Sequence, residues 1–128
     1  MPQDRLSGAE GDRYGREFGR RVAAALGAEM VARGSNECLF NGERVVVKCA
    51  HQRTKSVGVP YKMMERIKAV FAAFEQDDGS YVVRRLPVER YAELSTPSRS
   101  NSVSAHRVGM VKRAVFEGEG EVVAVVRP

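Results

Sequence analysis

An α+β fold is predicted for this chain, with a mixed sheet whose central hairpin is flanked by two helices. Three observations predict it. Tyr14, Phe18, Val22, Ala25 and Leu26 recur at three- and four-residue spacing, the period of a helix with one apolar stripe. Asn41-Gly42 stands between two β-rich runs, and an Asn-Gly pair supplies the two positive-φ residues of a type I′ hairpin turn. The closing segment Val122-Val123-Ala124-Val125-Val126 is β-branched and apolar on both faces, as in a central or doubly covered strand.

The elements follow in order. Met1 to Asp12 mixes Gly, Ser, Pro and charge without periodicity and reads as a flexible leader, with 13–128 as one domain. A first helix runs from Arg13 to about Ala32, with Gly34 as its stop. Its stripe leaves Arg13, Arg16, Arg20 and Arg21 on a basic outer side. The hairpin strands are Ser35 to Phe40 and Glu43 to Ala50, and His51 to Val59 connects them to a second helix. Pro60 suits that helix's first turn, where its missing N–H would be unpaired anyway. Met63, Met64, Ile67, Val70, Phe71 and Phe74 form its buried face through about Glu75, and Asp77-Asp78-Gly79 ends it. Tyr81 to Leu86 reads as a strand stopped by Pro87, and Val88 to Leu94 as a short helical turn. Ser95 to Arg107 reads as an exposed, Ser-rich loop. Val108 to Phe116 and Glu121 to Arg127 read as two strands around Gly118-Glu119-Gly120.

The chain has 128 residues, room for one compact core and not for two. Lys and Arg outnumber Asp and Glu by 21 to 16, for a formal net charge of +5, which favours anionic partners such as nucleic acid. Cys38 and Cys49 are too few for a disulfide framework, and a reducing cytoplasm is the expected compartment. The N-terminus lacks the basic-then-apolar pattern of a signal peptide, and no apolar run approaches the roughly 18 residues of a membrane span.

Register sharpens the hairpin. With Asn41 and Gly42 as the turn, Phe40 faces Glu43, Leu39 faces Arg44, Cys38 faces Val45 and Glu37 faces Val46. Side chains alternate between faces, so Cys38, Phe40, Val45, Val47 and Cys49 share the core side. Glu37, Leu39, Arg44, Val46 and Lys48 share the other, polar side. The two cysteines then lie about four residues out of register, too far apart for a disulfide at roughly 3.3 Å per residue. Glu37 and Lys48 are diagonal neighbours, within reach of an ion pair. On a solvated face such a pair is worth at most about 1 kcal/mol.

A helix, a strand opening with an acid, a strand carrying a lysine, a helix and a further strand together resemble the PD-(D/E)XK restriction-endonuclease-like core. The resemblance covers Arg13 to Leu86 and is one of order and polarity. In that family one acid, and an acid-x-Lys triplet on the next strand, bind Mg²⁺ and activate water against a phosphodiester. The resemblance implies a nucleic-acid-binding domain, DNA favoured, with Mg²⁺-dependent cleavage as its chemistry. Glu37 matches the first acid, with Asn36 as an alternative register, and Lys48 matches the lysine. The second acid should stand at position 46, where this chain has Val46. Glu17, on the shoulder of the first helix's stripe, is the substitute ligand expected beside Glu37. Glu65 falls almost opposite the second helix's buried face, and Glu43 sits at the turn's edge.

Phosphate contacts are expected from Arg53 and Lys55 after the hairpin and from Arg99, Arg107 and Lys112, with Arg113 beside them. His51 and His106 with two out-of-register cysteines give no zinc spacing, and no Gly-rich phosphate loop or nucleophile elbow is present. Two alternatives stand beside the nuclease. One is the same fold binding nucleic acid without cleaving it. The other is a structural or partner-binding protein, a homodimer through the Val-rich C-terminal strands.

Overall fold

The computed structural model describes residues 19–31, 36–98 and 107–127. Helix α1 is described over 19–26 and ends where Gly27 takes φ +74°. Gly27 N–H bonds Ala24 O at 3.1 Å and Ala28 N–H bonds Ala23 O at 2.8 Å, so two otherwise orphaned carbonyls are satisfied. The helix therefore stops at Gly27 and not near Ala32; the expected Gly34 stop lies outside the described residues. Chain that was expected to be helical instead forms a short strand, β1 (Glu29–Met30).

The hairpin follows as predicted. Strands β2 (Glu37–Phe40) and β3 (Glu43–Ala50) pair in the expected register, with Glu37 opposite Val46 and Cys38 opposite Val45. Asn41 and Gly42 both have positive φ, 52° and 82°. The connector beyond β3 gives β4 (Ser56–Pro60) and then one turn of helix, α2 (Tyr61–Met64).

The chain predicted to continue as helix to Glu75 leaves α2 after one turn and becomes β5 (Ala69–Glu75). Strand β5 runs parallel to β3 on one side and antiparallel to β6 (Tyr81–Pro87) on the other. A central strand is buried on both faces, so Ala69 to Phe74 is apolar throughout and its strand period is hidden. Helix α3 (Val88–Leu94), strand β7 (Thr96–Pro97) and strand β8 (Val108–Lys112) come after it. Helix α4 (Arg113–Glu119) occupies chain that was expected to extend the β8 strand to Phe116. Gly118 lies within α4, and Gly120 follows it; a Cβ at Gly120 would sit 2.5 Å from Phe116 O.

With a last strand β9 (Glu121–Val126), the main sheet has the order β1-β2-β3-β5-β6-β9, and β4-β8-β7 form a second, smaller sheet. Strand β9 is an edge of the main sheet, not a central strand, and leaves Val122 and Val125 each 49% exposed. The chain is thus a mixed-sheet α+β protein. The flanks differ from the two helices expected. One face of the sheet carries Val45, Val47, Phe71, Ala73 and Val83 under Val22 and Ala23 of α1. The other carries Val46, Val70, Ala72, Phe74 and Leu86 under Val57, Val59 and Val111 of the small sheet, with Tyr91 of α3 and Phe116 of α4. The hairpin's supposed polar face is therefore largely a second core, and Val46 is fully buried in it. No described helix is long and apolar enough to cross a membrane.

Candidate nucleic-acid interface

Glu37 opens β2 and points to the same face as Val46, its register partner. It is the one buried charged residue among those described, at 4% exposure. A buried carboxylate must be paired and hydrogen-bonded to remain ionised. Arg44 Nε donates to Glu37 Oε2 at 2.8 Å, Arg66 Nη2 donates to Oε1, and Arg66 Nε lies 3.5 Å from Oε2. The Arg66 guanidinium, with that of Arg44, holds the Glu37 carboxyl below its ordinary range, although burial pushes the other way.

Lys48 does not pair with Glu37. It lies half-buried on β3, two residues beyond Val46 and opposite Ala72 of β5. Its neighbours on that face are apolar, and burial pushes its ammonium below the usual lysine value. The ion pair expected across the hairpin is replaced by the two arginines, which reach the carboxylate with forked, charge-assisted bonds.

These residues do not fit Mg²⁺. Both Glu37 oxygens already accept guanidinium N–H, Val46 offers no donor, and among the described residues no three His, Cys, Asp or Glu side chains gather. Glu17 lies outside the described residues. Glu65, just past α2, is exposed, and Glu43 stands 3.7 Å from Arg85.

The residues expected to contact phosphate fall differently. Arg113, at the start of α4, donates through Nη1 to the carbonyls of His51 at 3.3 Å, Gln52 at 2.8 Å and Thr54 at 3.5 Å. Its backbone N–H bonds Lys55 O at 2.7 Å, and its guanidinium carbon lies 4.8 Å over the Phe74 ring. One arginine thereby folds the turn after β3 against the end of β8, where Ser56 pairs with Lys112. Arg53, Lys55 and Lys112 are brought together there, all exposed. Arg107 is exposed at the far end of β8, away from that group, and Arg99 lies outside the described residues. His51 sits 3.5 Å from Glu75.

Three roles central to this region escaped the sequence reading. Arg44 had been placed on the Glu37 face by register, and the rule that buried carboxylates need partners would have paired them. Arg66 was hidden by the predicted long helix. The capping work of Arg113 joins segments about sixty residues apart, and nothing local signals it.

The fold and this basic region define a mixed-sheet α+β protein with an acid–arginine cluster at the start of its hairpin. No family model matches the chain, and no curated protein matches it. Among solved structures it is similar to Hjc, a Holliday junction resolvase from the archaeal hyperthermophile Archaeoglobus fulgidus. That likeness is at 11% identity and a TM-score of 0.47, covering 87% of this chain and 93% of that one.

Proposed function

We propose that this chain is a nucleic-acid-binding domain, DNA favoured, that holds the phosphate backbone without cutting it. This reading takes the acid strand and the lysine strand of the restriction-endonuclease-like resemblance as its frame, with Val46 and the arginine-bound Glu37 standing where a carboxylate pair is expected. The observation that carries the reading is the turn organised by Arg113. It presents Arg53, Lys55 and Lys112 together, exposed and without an ion-pair partner among the described residues. Clustered, unneutralised cations on a fixed backbone displace the counterions of a polyanion, and that release drives non-specific binding.

The test is binding of a labelled DNA duplex across a salt series. Affinity should fall steeply with salt, and Arg53→Ala, Lys55→Ala and Lys112→Ala should each reduce the logarithmic salt slope by about 1. DNA should stay intact with Mg²⁺ or Mn²⁺ present. A binding curve indifferent to salt, or no binding at all, would remove the reading.

Mg²⁺-dependent phosphodiester cleavage is the second reading, with Glu37, Lys48 and Glu17 in catalytic roles. Lys48 favours it, because a half-buried lysine with no acceptor among the described residues is the kind that can lose its proton. It requires Glu37 to leave its arginines. Metal-dependent nicking abolished by Lys48→Ala would establish it over the first.

A further inference from the structure

We propose that the Glu37–Arg44–Arg66 cluster is a phosphate seat, in which two guanidinium groups take a phosphate oxygen directly where the resemblance places a metal ion. The inference rests on the nucleic-acid reading above and names a second contact of the same interface.

The geometry separates an underside from an open side. The Glu37 side chain is 6% exposed, whereas those of Arg44 and Arg66 are 40% and 46% exposed. The carboxylate therefore lies beneath, and the two cations lie between it and solvent. Arg44 uses only Nε on Glu37, so both its terminal nitrogens have no acceptor among the described residues. Arg66 spends Nη2 and Nε on Glu37 and reaches Lys62 O with Nη1 at 3.5 Å. An exposed arginine normally samples many rotamers, and holding it on a buried acid removes that freedom before a ligand arrives. The terminal fork left on Arg44, with the remaining N–H groups of Arg66 beside it, matches the geometry of phosphate oxygens.

Charge favours an anion as well. Glu37 and Glu65, whose charge also acts on Arg66, set two negative charges against the two arginines, and Lys48 adds a third cation on the same sheet face with no acceptor among the described residues. Lys68, whose N–H bonds Arg44 O at 2.7 Å, and Lys62, one helical turn before Arg66, are exposed beside them. Arg44, Arg66, Lys48, Lys62 and Lys68 outnumber Glu37 and Glu65 among the described residues, so the field stays positive and a phosphate would supply counter-charge.

The experiment uses the full chain, with DNA binding and arginine Nε–H NMR as readouts. Inorganic phosphate is the probe for the seat itself, and saturable shifts of the Arg44 and Arg66 Nε–H signals are expected in the wild type. Arg44→Lys and Arg66→Lys keep the charge but lose the fork. Each should weaken DNA binding about fivefold while leaving the salt slope unchanged. Arg44→Ala should lower the slope by about 1. Added EDTA should leave binding as it was. Linear, unsaturable phosphate shifts, or unchanged affinity in both lysine variants, would overturn the seat. If Arg53→Ala and Lys55→Ala still weaken binding in that case, the interface stands and only the seat fails. Loss of all DNA binding in the wild type would instead remove the parent reading. Should an arginine variant fail to fold, the phosphate titration of the wild type still decides.

Discussion

Glu37 and Arg66 stand 29 residues apart in sequence and meet side chain to side chain beneath the mouth of the hairpin. This contact ties the β2–β3 hairpin to the chain just before β5. It does so through a carboxylate that water barely reaches.

Its protonation should therefore register in stability. The folded-state pKa of Glu37 lies below the ordinary carboxyl value of 4.5, chiefly through the Arg66 bond. The stabilisation is thus present above that value and is lost as pH falls through the lower folded one. Both arginines are partly exposed, so screening limits the contribution to about 1–2 kcal/mol near neutral pH. Glu37→Gln should lose that amount in urea unfolding at neutral pH, and the gap from wild type should close on acidification. A gap that stays constant with pH would show that the ion pair is not its source.

Gly42 gives a backbone prediction free of packing. A Cβ there would meet nothing within 4 Å, yet φ is +82°. Gly42→Ala should cost about 1–2 kcal/mol, the strain of an L-residue in the left-handed region. Gly118 offers the control, since it is helical, with open space around its would-be Cβ and no positive φ. Gly118→Ala should stabilise by about 0.5–1 kcal/mol. Equal effects of the two changes on the urea midpoint would contradict the turn geometry.

Tyr91 locks the small sheet to α3. Its hydroxyl is fully buried and lies 2.8 Å from the carbonyl oxygens of both Val57 and Gly109. Tyr91→Phe should cost about 1–3 kcal/mol, because it strands buried carbonyls without opening a large cavity. Burial raises the phenol's pKa well above its ordinary 10.0. Its stabilising effect is present below that value and is lost as pH rises towards the folded-state pKa. In ultraviolet titration the Tyr91 phenol should ionise only as the protein unfolds in alkali, and Tyr91→Phe should remove its share of that step.

The hairpin was legible because its determinants are local. Asn41-Gly42 dictates the turn, and alternation then fixes which residue faces which. What alternation cannot say is whether a face is wet. Val46 was assigned to a polar side because Glu37, Arg44 and Lys48 share it, yet the small sheet covers that side. That cover is built from β4, β7 and β8, whose pairing joins residues far apart in the chain. The β5 error has a related cause. A run such as Ala69 to Phe74, apolar at every position, carries no period to separate strand from helix, and the adjoining Met63, Met64 and Ile67 extended the helical reading into it. The basic side chains were visible one by one. Their gathering around Arg113, and the capture of Glu37 by Arg66, depend on tertiary contacts that composition and spacing do not record.

Val46 provides the sharpest test of whether this hairpin can hold a metal. It stands opposite Glu37, at the register where the resembling family has its second acid, and it is fully buried among Val70, Ala72 and Leu86. If the position were still arranged for a metal, Val46→Asp would be tolerated, and Mg²⁺ would raise the variant's melting temperature. The packing argues otherwise. The substitution removes an apolar side chain worth about 1.5–3 kcal/mol of burial and places a carboxylate among apolar neighbours, where Arg44 and Arg66 are already engaged by Glu37. Val46→Asp should therefore be destabilised by about 3–5 kcal/mol, with no recovery on adding Mg²⁺. Val46→Thr, close in shape, should lose only about 1–3 kcal/mol for its unsatisfied hydroxyl. A Val46→Asp protein as stable as wild type, or one rescued by Mg²⁺, would mean that the cover over this face yields easily and that the metal chemistry lies one substitution away.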